Sequence, residues 1–482
     1  MKTDYLIIGA GAVGMAFADT LFDESDAHIT LVDRRPAPGG HWNDAYPFVQ
    51  LHQPSEYYGV NSKSLGKGYK ASHGPNAGLY EMATGEEVST YFSELMQQKF
   101  LPSGRVSFLS SSAYMGDGIV ESLPVGTRQQ VSVQKKVVDA TLFSPSIPST
   151  HKPNFQVAQG VQMIAPNALP STIATQMPNA AGLTFCILGA GKTGMDAIGW
   201  LLGNGVAPAA IHWVVPRDSW IQNRLHTQPG LEFFQESIGG EALKLAAFAE
   251  SKTTEELFLK LEAAGLMLRI DRAVMPTMFH YATISVGEVT QLRTIKQVIR
   301  KGRVKAIDSE GMDLAQERVA MPPGTVYVDC TASAIRHDRD QAVFKGDHIH
   351  VQLLRAPLVT LSAAITAYIE VHGGDDVQKN ALCTPVPMPH SVDGYALTTQ
   401  LSLSNQFAWS QNKTLRQWMR GSRLDYFGKM VSEVEKDDLQ KQAVIATVRA
   451  NTMAAIKNLP QLISHSAGLG GGQASSRMTV GN

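Results

Sequence analysis

Two glycine clusters, 180 residues apart from Gly9 to Gly189, constrain this chain more than anything else in its 482 residues. The first begins with the apolar segment Tyr5-Leu6-Ile7-Ile8, passes through Gly9-Ala10-Gly11-Ala12-Val13-Gly14 into a run of small and apolar residues, and ends at Ile29-Thr30-Leu31-Val32-Asp33. That order predicts strand, glycine turn, helix and strand. In GxGxxG spacing the first glycine permits a tight turn, the second lets a pyrophosphate approach the backbone, and the third lets the helix pack on its strand. Phosphates then rest on the helix N-terminus. Asp33 stands 19 residues beyond Gly14, where a carboxylate can accept both hydroxyls of an adenosine ribose, and Arg34 beside it is a further candidate contact.

The second cluster repeats the pattern with Leu183-Thr184-Phe185-Cys186-Ile187-Leu188, the glycines Gly189, Gly191 and Gly194, and the later strand Ile211-His212-Trp213-Val214. Lys192 and Thr193 lie in the turn and are candidate phosphate contacts. They invite a P-loop reading, but GxxxxGK[ST] requires glycine at the position of Cys186, so a nucleoside triphosphatase is rejected. Where the first unit has Asp33, the second has Val215-Pro216 followed by Arg217. A missing carboxylate removes repulsion of a 2′-phosphate, and a guanidinium supplies a bidentate partner. The first site is therefore expected to take a cofactor with a free ribose and the second NADPH; the alternative for Arg217 is a solvated surface charge. One chain with two such folds commonly passes hydride from a nicotinamide to a flavin, so FAD plus NADPH is the economical pair.

Composition narrows the remaining classes. Forty-two Lys plus Arg against 43 Asp plus Glu give a net charge of -1, which disfavours nucleic acid as a partner. Cys186, Cys330 and Cys383 include no CxxC pair, so neither a zinc ribbon nor a dithiol centre can be built, and a reducing, cytoplasmic compartment fits. The apolar start, Tyr5 to Phe17, reads as a strand entering a glycine turn rather than a signal peptide. The longest apolar stretch, Ala356 to Ile369, has 14 residues, short of the roughly 20 that span a bilayer. No HExxH, GxSxG or histidine pairing at zinc spacing is present, and no metal is expected.

The chain resembles the class B flavoprotein monooxygenases and flavin-containing monooxygenases over roughly 400 residues. Gly9 to Gly14 is similar to their FAD fingerprint, and Gly39-Gly40-His41-Trp42 resembles their Gly-Gly-x-Trp turn beside the flavin, which assigns Gly40 and Trp42 to the cofactor. Val137-Val138-Asp139-Ala140-Thr141 resembles the strand that returns the chain to the FAD domain, with Leu142 in place of a glycine, and implies cofactor contacts from Ala140 and Thr141. Val326 to Ala332 resembles its counterpart on leaving the NADPH domain. In Leu51-His52-Gln53-Pro54-Ser55 the resemblance implies a polar side chain over the flavin edge, Gln53 first and His52 second. One family motif is absent: aligning FxGxxxHxxx plus an aromatic on Gly160 puts Ala158, Ile164 and Ala168 at the Phe, His and aromatic positions, and His151 lies on the wrong side of that glycine.

The expected fold is α/β: two Rossmann-like, doubly wound dinucleotide-binding domains, the NADPH domain inserted into the FAD domain, with a helical C-terminal region. Residues 1–170 and 330–465 are expected to form the FAD domain and 171–329 the NADPH domain, with a proline-punctuated link from Pro145 to Pro178, a helical insertion at about 231–270 and a disordered tail at 466–482. A helix is expected from about Thr360 to Val371, capped by Thr360 with Pro357 near its first turn. Its start is either an ordinary capped core helix or points its dipole at the flavin pyrimidine, with Pro357 and Thr360 as contacts. Residues 405–430 hold Phe407, Trp409, Trp418, Tyr426 and Phe427, expected as a packing layer that could wall a substrate pocket. The leading functional expectation is a monooxygenase that spends NADPH to reduce FAD, adds O2 at flavin C4a and transfers one oxygen atom to a small organic substrate. Next come a flavoprotein reductase without oxygen transfer, favoured by the absent motif, and a non-catalytic flavin-fold binding protein.

Overall fold

The structure, a computed structural model, describes residues 1–142, 146–176, 183–332 and 341–474, with side chains described to residue 465. Pro145 and Pro178 of the expected link, and residues 475–482, lie outside these.

The first glycine cluster folds as its spacing predicts. Strand Lys2–Ile8 enters the turn, helix Ala12–Glu24 leaves it, and strand Ile29–Val32 returns parallel to the first, pairing Tyr5 with Ile29 and Ile8 with Val32. The sheet runs, edge to edge, Phe344–Lys345, His348–His350, Ser132–Asp139, Lys2–Ile8, Ile29–Val32 and Val106–Leu109, and all neighbours are parallel except the first pair. Strands from residues 2–139 and from 344–350 thus share one sheet, which makes this unit discontinuous in sequence. The second unit is a parallel sheet in the order Gln297–Ile299, Ile211–Val214, Phe185–Leu188, Val326–Asp329 and Met163–Ile164, with helix Lys192–Gly203 after its glycine turn. The α/β class and the insertion of one Rossmann-like unit into the other hold.

The boundary moves. Met163–Ile164 pairs with Val326–Asp329, and Gln156–Val157 pairs with Val304–Asp308, so the second unit starts ahead of residue 156 rather than at 171. Two-residue edge strands carry too little periodicity to be seen in sequence. Helices Gly240–Glu250 and Thr254–Ala263 fill the expected insertion and are flanked by a three-stranded sheet of Ser219–Asn223, Met267–Leu268 and Met278–Ile284. Leu245, Phe248 and Leu261 of the insertion share a buried cluster with Tyr395, Leu459 and Leu462 of the C-terminal helices. That burial ties the insertion to the end of the chain.

Three further expectations change. The last helix runs Leu439–Ala474, so the backbone from 466 to 474 is helical where a tail without structure was expected. The apolar stretch near residue 360 is helix Val359–His372, buried from Thr360 to Glu370. It packs on helix Ala12–Glu24, itself buried from Ala12 to Leu21, which explains why neither has a polar face. Its N-cap is Leu358, without a side-chain cap, and Thr360 is buried within the first turn, so Thr360 is not the cap. Phe407 of the expected aromatic layer is 64% exposed, while Trp409 is buried and Trp418 stacks on Tyr368 at 4.7 Å. All three cysteines are free and buried. Among the described residues no helix is long and apolar enough to cross a membrane.

Candidate functional site

The two glycine turns are built from the same parts. Gly9 and Gly189 have φ of +97° and +114°, values that exclude a side chain at low cost. A Cβ on Gly14 would collide with the carbonyl oxygen of Gly9, and one on Gly194 would collide with that of Gly189, so each helix approaches its turn as closely as a glycine allows. Against each turn lies the end of a neighbouring strand. The Thr141 hydroxyl donates to Asp139 Oδ1 at 2.6 Å and the Thr331 hydroxyl to Asp329 Oδ1 at 2.6 Å, with the backbone amides of the same threonines on the same oxygens at 2.9 and 3.0 Å. Thr141 Cγ2 lies 3.3 Å from where a Gly9 Cβ would stand, and Cys330 O lies 2.7 Å from the equivalent point on Gly189. An Asp-x-Thr strand end therefore closes both turns, with Ala140 in the middle of the first.

The turns differ in what faces them. In the first, the backbone of Gly40 packs on that of Gly11: a Cβ on Gly40 would lie 2.8 Å from Gly11 Cα, and the Gly39 amide donates to Ala10 O at 2.8 Å. The smallness of Gly11 thus admits this chain's own Gly39-Gly40 turn. In the second, a Cβ on Gly191 would meet none of the described residues within 4 Å, so among these the approach is open. Asp33 is 7% exposed, and its two oxygens each accept one backbone amide, Ala10 at 2.7 Å and Arg35 at 2.8 Å. A second lone pair on each oxygen remains for a ribose hydroxyl. Arg34 is exposed, whereas Arg35 turns back to pair with Asp44.

Arg217 is exposed at the end of the second unit's strand pair. Desolvation and the neighbouring Arg303 guanidinium lower its pKa, and among the described residues neither arginine has a carboxylate partner. Two like charges side by side without a counter-ion suit a dianionic group. Arg303 carries no motif signal in the sequence, because only the fold brings it beside Arg217.

The units meet along a seam made by residues after Trp42. The Tyr46 phenol donates to Asp196 Oδ2 at 2.7 Å, with the Thr193 side chain beside it. Lys192 pairs with Asp196 on the same helix, and Phe48 stacks on Trp200 at 5.0 Å. Lys192 and Thr193 therefore direct their side chains to the seam. Trp42 Nε1 donates to Tyr58 OH at 2.7 Å, and the Trp42 ring stacks on His41, whose pKa falls to about 4 through desolvation and nearby Arg35. His52 is driven well below its usual 6.5 by desolvation, Lys192 and Arg224, so its ring is neutral. Arg224 is 0% exposed; it donates to His52 O at 2.9 Å, to Asn76 Oδ1 at 2.5 Å and to Thr283 O at 3.0 Å, and it pairs with Glu288. It fixes the backbone just before Gln53. Gln53 and Pro357 both line one cavity of about 140 Å³, while Thr360 is buried in the helix behind it.

The NAD(P)-binding Rossmann-like domain family matches residues 7–59, the span that holds the first glycine turn, Asp33 and the Gly39-Gly40 turn. Solved structures that superpose on much of the chain include a flavin-containing monooxygenase from Stenotrophomonas maltophilia, at 15% identity and TM-score 0.42 over 85% of this chain and 99% of that one. Another is a polycyclic ketone monooxygenase from Thermothelomyces thermophila, at 12% identity and TM-score 0.47 over 97% and 88%. In sequence, Uncharacterized protein Rv2000 of Mycobacterium tuberculosis and Uncharacterized protein Mb2023 of Mycobacterium bovis are each 39% identical over 466 residues, 96% of this chain and 85% of theirs. A match at that identity across nearly the whole length means that the chain belongs to the family of these mycobacterial proteins.

Proposed function

We propose that the protein is an FAD-dependent, NADPH-consuming monooxygenase that transfers one oxygen atom of O2 to a small organic substrate. The observation that carries this reading is the pairing of two like-built glycine turns in one chain, one with an acid and the other with two arginines that have no carboxylate partner among the described residues. Asp33, with a free lone pair on each oxygen, suits the adenosine ribose of FAD. The open approach to Gly191 and the Arg217 and Arg303 pair suit the pyrophosphate and 2′-phosphate of NADPH. When bound, the flavin would supply both the hydride acceptor and the oxygen chemistry.

The chain's own residues would bind, orient and exclude water. Gly9, Gly11 and Gly14 would cradle the FAD pyrophosphate, with Gly40, Trp42, Ala140 and Thr141 beside it. Gly189, Gly191 and Gly194 would do the same for NADPH, and the Tyr46 and Asp196 bond would hold the two sites in register. Gln53, which faces the cavity, is the better candidate for a polar contact at the reacting centre, because the backbone of His52 is already held by Arg224. Pro357, at the far wall, would flank the flavin at the start of helix Val359–His372. Three free, buried cysteines fit a cytoplasmic setting.

A second reading, a flavoprotein reductase without oxygen transfer, is favoured by one observation. Ile164, at the histidine position of the absent motif, sits in a strand paired with Val328 and packs in the core of the second unit. It therefore leaves no polar group there. The test is an absorbance spectrum of the purified protein followed by anaerobic NADPH titration and turnover in isotopically labelled O2. Bound FAD bleached by NADPH, with label in an organic product, is expected. Bleaching with hydrogen peroxide as the only oxygen product would select the reductase, and no bleaching would leave a non-catalytic binding protein.

A further inference from the structure

The 140 Å³ cavity is walled by the loop holding Gln53 and Tyr57, the helical insertion, the Arg355–Leu358 turn and the helices that follow. Cavities of about this size hold one six-membered ring. Its wall contains the rings of Tyr281, Tyr395 and Tyr426, and the hydroxyl of none of them bonds to another described residue. On the same wall the Tyr57 hydroxyl is buried with no hydrogen-bond partner among the described residues; buried phenols ordinarily find one, so these unbonded hydroxyls around a single space point to a ligand that supplies it.

The backbone adds an independent sign. Between Trp220 paired with Phe279 and Gln222 paired with Thr283 the register shifts, because the strand Met278–Ile284 carries extra residues there. Tyr281 sits in that bulge at φ +58°, a left-handed conformation that a bulky residue adopts at a cost of roughly 1–2 kcal/mol. Such cost recurs where a bulge re-aims a side chain at a site. Charge at the wall is already balanced: Arg355 pairs with Asp425 at 2.8 Å and Lys244 with Glu241 at 2.5 Å. A buried ionic ligand would meet no spare counter-charge.

We propose that this cavity is the substrate site and that Tyr281, Tyr395 and Tyr426 select an uncharged, single-ring substrate carrying a hydrogen-bonding oxygen, while carboxylates and ammonium ions are turned away. The proposal rests on the monooxygenase reading, which makes the space between Gln53 and Pro357 the place where substrate meets flavin.

Calorimetry on the FAD-loaded protein with benzyl alcohol, toluene, benzoate and benzylammonium tests it. Benzyl alcohol should bind at least about tenfold more tightly than either ion. Tyr281→Phe and Tyr395→Phe, which keep the ring, should each weaken benzyl alcohol roughly three- to tenfold and leave toluene unchanged, the loss expected for one neutral hydrogen bond. Equal or tighter binding of an ion, no binding of benzyl alcohol, or unchanged affinity in both tyrosine variants would overturn it. NADPH titration of the same preparation separates the two claims: tyrosine-dependent binding with no flavin bleaching supports the site and removes the oxygenase reading.

Discussion

The phenol of Tyr46 donates a 2.7 Å hydrogen bond to Oδ2 of Asp196, joining the loop after the Gly39-Gly40 turn to the helix that leaves the second glycine turn. Asp196 also holds Lys192, so one carboxylate ties the N-terminal end of that helix to the first unit. The two glycine turns are thereby joined through short polar contacts and the Phe48 and Trp200 stack.

Tyr46→Phe removes this bond and leaves Asp196 paired only with Lys192. Hydrogen bonds to charged groups contribute about 1.5–3 kcal/mol, so the urea midpoint should fall by a corresponding amount. The FAD content of the purified variant should stay unchanged, since the lost bond runs to the second unit's helix, while the rate of flavin reduction by saturating NADPH should fall. Unchanged reduction kinetics would show that the seam does not set the register of the two sites.

Arg217 and Arg303 should share the discrimination between NADPH and NADH. Arg217→Ala should lower the NADPH to NADH ratio of kcat/KM by about 10- to 100-fold, the range of one or two charge-assisted hydrogen bonds, and Arg303→Ala by less. Both losses should shrink at high salt, because the arginines are exposed. An unaltered ratio in Arg217→Ala would leave it as a solvated surface charge.

The glycine turns were legible in the sequence because everything they need is local: three glycines, the strand before them, the helix after them and the acid one strand later. The strand ends at Asp139 and Asp329 were legible as apolar runs closing at small residues, although the threonine clasp that makes them alike emerged only from the fold. Arg224 was not legible. It lies outside any motif and owes its importance to partners at His52, Asn76, Thr283 and Glu288, positions that only tertiary packing brings together. The same holds for the early boundary, where two-residue strands add to a sheet edge, and for Thr360, whose capping propensity lost to burial inside a core helix.

Acid should destabilise the protein through its neutral histidines. His41 titrates near 4 when folded against an ordinary 6.5, so as pH falls through 6.5 the unfolded chain takes up a proton that the folded chain refuses. Stability from this group is full above pH 6.5, declines between 6.5 and about 4, and is constant below; for a partly buried ring the loss from pH 7 to pH 5 is about 1–2 kcal/mol. His52 acts in the same direction. Denaturant midpoints at the two pH values should show the fall, and His41→Gln should make it shallower.

Glycine-to-alanine changes should separate folding from binding at the two turns. At Gly14 a Cβ meets the carbonyl oxygen of Gly9, a backbone atom that cannot move aside without parting helix from strand, so Gly14→Ala should cost about 2–4 kcal/mol or yield no soluble protein. At Gly191 the φ of -77° suits any residue and a Cβ meets none of the described residues within 4 Å. Gly191→Ala should therefore unfold within about 0.5 kcal/mol of the parent, as expected of a substitution in open space. If that space admits the NADPH pyrophosphate, the added methyl blocks it, and the NADPH Kd from anaerobic titration should rise by at least about tenfold while FAD stays bound. A stable Gly191→Ala protein with unaltered NADPH affinity would remove the second turn from the dinucleotide site.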